Sequence, residues 1–169
     1  MHQRDNRLLY LTLVIFATFC TLQAFFGAYF WDPDSFTIGN DDAFITYRYG
    51  VNLVDHGIIS FNPTDTPPVE GFSNPLFVLL SAAAYVLFGL DGVYPAMAVL
   101  GAFFTAFALV VIYRYAVTAH DTRIAGFTVL CLGFFPSLWI NATSGLETSA
   151  VFLAQVWVWL SFMCYLEDR

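Results

Sequence analysis

Residues 8–30 read LLYLTLVIFATFCTLQAFFGAYF and contain no charged side chain. At about 1.5 Å of rise per residue, a helix of this length crosses the hydrocarbon core of a bilayer. Arg4 and Arg7 precede it, and Tyr29, Phe30 and Trp31 supply an aromatic belt at its exit. A cleaved signal peptide is the other reading of such a start. Its apolar core would be too long, and its exit is bulky where a peptidase needs small residues. The segment is expected to be an uncleaved anchor with its N-terminus in the cytoplasm.

Composition extends that reading to the whole chain. Its 169 residues are 59% hydrophobic, 19% aromatic and 11% charged, with a mean hydropathy of +0.67. A soluble domain of this size cannot cover so much apolar surface, so the expected solvent is largely lipid. The net charge of −7 suggests a basic partner only until the acids are located, because most lie in one loop. No cluster of Lys and Arg forms a nucleic-acid footprint. Cys20, Cys131 and Cys164 are far apart, odd in number and set in apolar segments, and read as small buried hydrophobes.

Three later stretches, 93–113, 124–140 and 149–166, are long and apolar enough to cross. The stretch 75–90 is short, follows Asn74-Pro75 and ends at Gly89-Leu90-Asp91-Gly92. If it crosses, Arg114, His120 and Arg123 lie outside; if it stays in the outer interface, they lie in the cytoplasm, as the positive-inside rule prefers. The expected fold is therefore all-α and polytopic. It has about four transmembrane helices, an external loop with a juxtamembrane helix, and one interfacial or re-entrant helix, in a single membrane domain over 1–169. That arrangement puts 141–148 outside, beside the first loop, and Glu167-Asp168-Arg169 inside.

The external loop, 31–74, holds Asp32, Asp34, Asp41, Asp42, Asp55, Asp65 and Glu70 against one base, Arg48. Asn40 or Asp41 is a good N-cap and Gly57 a natural helix stop, which predicts a helix over 41–56. Phe44, Tyr47, Val51, Val54 and Ile58 recur at helical spacing as an apolar stripe. Asp41, Arg48, Asn52 and Asp55 form a neighbouring polar arc. The stripe is expected to rest on the membrane domain, with the arc facing a cavity or, if the helix is merely juxtamembrane, solvent. Phe61-Asn62-Pro63 and Pro67-Pro68 mark irregular backbone beyond it.

The order Asp41-Asp42-Ala-Phe-Ile-Thr-Tyr-Arg48-Tyr, Asn52-Leu, His56-Gly57, Phe61-Asn62-Pro63 and Pro68-Val-Glu70-Gly-Phe-Ser-Asn74-Pro75-Leu76 resembles a known first external loop. It is that of bacterial membrane glycosyltransferases of the GT-C superfamily, most of all arabinofuranosyltransferases of the mycobacterial cell-wall type. Ser144-Gly-Leu-Glu147-Thr148 resembles a second signature of that group, and 75–90 is similar to the juxtamembrane helix that follows the loop in related lipid-linked sugar transferases. The resemblance implies transfer of a sugar from a polyprenyl-phosphate donor to an envelope glycan or lipid acceptor on the outer face of a bacterial-type plasma membrane. It also implies a chain incomplete relative to the family, whose members carry many more spans.

By position, Asp41 resembles the family's catalytic aspartate, a base for the acceptor hydroxyl held ionised at a helix N-terminus. Two roles are open for Arg48: contact with the donor phosphate or sugar, or a salt bridge to Asp41 or Asp55. Asp42 binds acceptor or caps the helix. Asn52 shares the arc with Arg48 and is counted with the substrate-binding candidates. Glu70 and Asn74 bind sugar hydroxyls or shape the loop, and Glu147 approaches the cavity or serves its own helix dipole. His56 reads as a helix-terminal residue, and the sequon at Asn141-Ala142-Thr143 as incidental so close to the membrane. Some relatives bind a divalent cation; the acids here permit one, but no spacing identifies its ligands.

Two other classes stand beside the transferase. One is a non-catalytic or split-enzyme membrane subunit that needs a separate partner chain, such as a C-terminal half. The other is a small transporter or channel, disfavoured because the spans carry almost no ionisable residues.

Overall fold

A computed structural model describes residues 6–31 and 41–167, with side chains at 6–23 and 42–166. Among the described residues the chain forms seven helices and no strand: α1 (Arg7–Trp31), α2 (Asp41–His56), α3 (Pro75–Phe88), α4 (Leu90–Ala119), α5 (Thr122–Gly133), α6 (Pro136–Ala142) and α7 (Thr148–Glu167). α4 and α7 are long and apolar enough to cross a membrane, and α5 with α6 makes a third candidate if the bent pair is one span. α3 and the described side-chain portion of α1, Arg7–Gln23, are shorter apolar helices. The belt expected at Tyr29–Trp31 and the charges of Arg4, Asp168 and Arg169 lie outside the described side chains.

α4 is the central strut. Its 30 residues would rise about 45 Å as an unbent helix. Val93 and Met97 pack under α2 and α3 at one end, and Tyr113 and Ala116 pack with Leu9 and Val129 at the other. α1 runs antiparallel to α4: the Tyr113 hydroxyl donates to Asn6 Oδ1 at 3.1 Å, while Phe16 and Cys20 pack beside Leu109 further along. α7 runs parallel to α4, with Ser149 beside Gly101 near its start and Trp159 against Tyr115 near its end.

The stretch expected to span as one helix over 124–140 is instead broken. α5 and α6 meet at a bend of 65°. Pro136 supplies no N–H and disfavours the helical conformation in the residue before it; Phe135 is accordingly extended, at φ −75° and ψ 114°. The break stays satisfied, since the Phe134 and Phe135 amides donate to Leu130 and Leu132 carbonyls at 3.1 and 3.0 Å. Phe19 of α1 covers it through ring contacts with Phe134 and Trp139. Asp121 starts α5 by accepting from the Arg123 and Ile124 amides at 2.6 and 2.8 Å. Those bonds hold its carboxyl below the usual carboxylate range, so the cap stays charged until the pH falls through that lowered value.

The helix directions sort the charges. Arg7, Arg114, His120 and Arg123 gather where α1 begins and α4 ends. Asp42, Asp55, Asp91 and Glu147 belong to the opposite end, where Arg48 is the one arginine or lysine among the described residues and His56 closes α2. If the bundle crosses a bilayer, a membrane-impermeant maleimide reaches cysteines at Glu70→Cys and Ala119→Cys, both exposed, from opposite sides. The measurement uses a background free of Cys20, Cys131 and Cys164; labelling of both from one side would overturn the arrangement.

Candidate functional site

α2 forms because a 16-residue amphipathic stretch has an apolar surface to lie on. The face it buries differs from the expected stripe. Ala43, Tyr47 and Gly50 are buried, whereas Phe44 and Val54 remain 45% and 41% exposed. Gly50 sets that orientation. A Cβ there would meet the Ser81 hydroxyl, the Ala82 amide and the Val78 carbonyl of α3, so the helix lies on α3 with its backbone. Gly57 ends it at φ 69°, a left-handed conformation glycine adopts without a Cβ clash.

The polar arc of α2 is occupied by the loop that returns over it. Arg48 Nε donates to the Phe61 carbonyl at 2.7 Å and Nη2 to Asn62 Oδ1 at 2.8 Å, with the guanidinium 4.4 Å from the Phe61 ring centroid. Asn52 is buried, and its Nδ2 donates to the Ser60 and Phe61 carbonyls at 2.8 and 3.0 Å. Asp55 accepts from the Tyr85 hydroxyl of α3 at 3.1 and 3.2 Å. That bond, which holds the phenol proton, pushes the Tyr85 pKa up. Arg48 therefore bonds to the loop and not to Asp55, while the Asp41 side chain lies outside the described residues. It organises the loop.

Tyr49 anchors the rest of that loop. It is 1% exposed, donates to the Val69 carbonyl at 3.1 Å, and meets Phe72 edge-on at 4.9 Å between centroids. Ser60, fully buried, accepts from the Val69 amide. Asn74 accepts from the Phe77 amide at 3.2 Å and caps α3, with Pro75 at its first turn. Glu70 and Asp42 are exposed. Asp41 opens α2 with its backbone, while its side chain, with Asp32, Asp34 and Asn40, lies outside the described residues.

The second motif arrives at the same place. The Tyr47 hydroxyl donates to the Gly145 carbonyl at 2.9 Å across 98 residues of sequence, and the Tyr94 hydroxyl donates to the Thr143 carbonyl at 3.0 Å. Phe44 stacks on Tyr94 at 5.9 Å, and Leu146 packs into the cluster of Ala43, Tyr47 and Met97. Burial pushes the Tyr47 phenol up, so it stays a neutral donor at physiological pH. Glu147 is half-buried at the start of α7. Asp42, Tyr47 and the loop carrying Glu147 thus share one end of the bundle, with Arg48 and Asn52 on the flank of α2 that faces 60–62. Sequence periodicity missed Tyr47 and Tyr94 as connectors, because a tyrosine at an apolar position looks like core until its hydroxyl finds a partner.

Among the described residues no three His, Cys, Asp or Glu side chains converge as a metal site requires. The cavity over α7 is lined by apolar side chains, whereas the one beside α6 sets Phe135, Leu138 and Phe152 among Thr105, Ser137, Asn141, Thr148 and Ser149. No family model, curated protein or solved structure matches the chain.

Three substitutions test this geometry by thermal unfolding in detergent. Tyr47→Phe strands a buried carbonyl and is expected to cost about 1–3 kcal/mol. Gly145→Ala is expected to cost more, because Gly145 sits at φ 77° and a Cβ there collides with the Tyr47 hydroxyl. Arg48→Lys cannot reproduce the two-pronged contact and is expected to lose about 1 kcal/mol. Equal stability of Arg48→Lys and the parent would remove its role in the loop.

Proposed function

We propose that the chain is a membrane glycosyltransferase, or the N-terminal portion of one, that uses a polyprenyl-phosphate sugar at the end of the bundle carrying α2. The observation behind this reading is the Tyr47–Gly145 bond. It joins the two sequence stretches that resemble the transferase signatures, in a chain whose spans keep ionisable groups at their ends. α1, α4, the α5–α6 pair and α7 serve as four spans, with α2 and α3 on the outer face. α3, 14 residues long, would rise only about 21 Å, short of a bilayer's roughly 30 Å core. It lies under the polar α2 on one face and exposes Leu76, Leu79, Val86 and Leu87 on the other, as an interfacial helix does. The basic end, with Arg7, Arg114 and Arg123, faces the cytoplasm by the positive-inside rule.

In the reaction, the Asp41 carboxylate takes the proton of the acceptor hydroxyl as its oxygen attacks the anomeric carbon. The bond from that carbon to the phosphate oxygen breaks, and its electron pair leaves with the polyprenyl phosphate. Arg48 suits the leaving phosphate: it is held by Nε and Nη2, stacked over Phe61, and makes no bond through Nη1 to a described residue. A guanidinium fixed beforehand needs no reorganisation as charge develops. Asp42, Glu70 and Glu147 would meet sugar hydroxyls, while Asn52 and Asn74 act by holding the loop and α3. A divalent cation, if one is used, would add charge stabilisation at the phosphate.

A second reading, a subunit that needs a separate chain, draws on the thin cover of α7, most of which faces away from the rest of the bundle. The deciding experiment expresses the chain in membranes with radiolabelled polyprenyl-phosphate sugars and membrane acceptors. Transfer that Asp41→Asn abolishes, with insertion intact, supports the transferase. Transfer indifferent to Asp41→Asn would sink the assignment of that base, and absence of transfer despite sound insertion favours the subunit.

A further inference from the structure

α7 carries a second pattern. Val151, Gln155, Val158 and Phe162 recur at alternating steps of four and three, the spacing of a left-handed helix–helix seam. In the folded chain this seam faces outward: Val151, Val158 and Phe162 are 47%, 68% and 56% exposed, and Gln155 is exposed among them. The buried residues of α7, Ser149 and Leu160, lie on the opposite side at 100° per residue. The seam also lines an open apolar groove of about 490 Å³.

Lipid can cover the aliphatic part of such a face as well as protein can. It cannot serve Gln155. The threonines of the other helices return their hydroxyls to their own backbones, as Thr12, Thr105 and Thr128 do at 2.8, 3.0 and 2.9 Å. The Gln155 carboxamide makes no hydrogen bond to a described residue. About two turns inside a helix apolar enough to span, it has no bulk water to bond.

We propose that this seam is the contact between two copies of the chain, paired in parallel about a two-fold axis along the membrane normal, with Gln155 hydrogen-bonded to Gln155. Two copies inserted in one orientation bring that residue to the same depth without any further device. A carboxamide carries both a donor and an acceptor, so it complements itself. A polar residue at one seam position fixes register and copy number, as in soluble coiled coils. The pairing leaves the α2 end of each copy open, and it takes the face of α7 that the separate-chain reading draws on, so the two are distinguished by what Val158→Cys is trapped with.

The test uses the full chain in membrane vesicles, with Cys20, Cys131 and Cys164 replaced by alanine. Mild oxidation is expected to cross-link Val158→Cys into a homodimer, and not Phe103→Cys, which is equally exposed but on α4. Gln155→Leu keeps the face apolar and is expected to weaken dimerisation about 3- to 30-fold, read by energy transfer between labelled copies on lipid dilution. Gln155→Asn is expected to preserve it. Cross-linking equal at both cysteines, dimerisation unchanged in Gln155→Leu, or Val158→Cys trapped only with a different protein would each overturn the proposal.

Discussion

The hydrogen bond from the Tyr47 hydroxyl to the Gly145 carbonyl ties the polar part of this chain to its apolar part. α2 is mostly polar on the side away from α3, so packing alone would hold it by one narrow strip of Ala43, Tyr47 and Gly50. A buried carbonyl at the start of α7 needs a donor, and a phenol at the centre of that strip provides it. Gly145 is where the approach happens because its left-handed φ turns the backbone and its missing side chain leaves room for the hydroxyl. The Tyr94–Thr143 bond repeats the device one layer beneath.

From that contact outward, the acidic end is built by satisfying backbone groups that regular structure leaves bare. Residues 57–74 have no ladder of their own, and side chains of α2 take the role: Asn52 and Arg48 hold the carbonyls of Ser60 and Phe61, and Tyr49 holds that of Val69. The surface α2 presents is therefore more ordered than a list of its charges suggests. Arg48 illustrates the consequence. A cation fixed by two hydrogen bonds and an aromatic face is poor at wandering to a carboxylate and well suited to receive an anion.

Much of this was legible in advance, and the failures are instructive. The α2 helix spans Asp41–His56, the range its sequence predicts, and Gly57 ends it by a local effect. Its orientation was misread because periodicity weighs side chains by size, whereas Gly50 contributes by having none. The break at Phe135 could have been read from Pro136, yet hydropathy averaged across it. For Arg48, Asn52 and Asn74, residue type and spacing do not distinguish a bond to substrate from a bond to a neighbouring loop; the structure shows the bond each makes within the protein.

The sequence by itself determined the apolar helical character of the chain, the concentration of acids in one loop and of bases elsewhere, and the ends of α2. Each depends on transfer free energy or on groups within a few residues of one another. Only the tertiary structure decided that residues 47 and 145 meet, that the loop folds back onto the polar arc, that α5 and α6 bend apart, and that Gln155 faces outward. Those depend on which surfaces approach closely enough to exclude one another's partners, and that is settled by packing across the whole bundle.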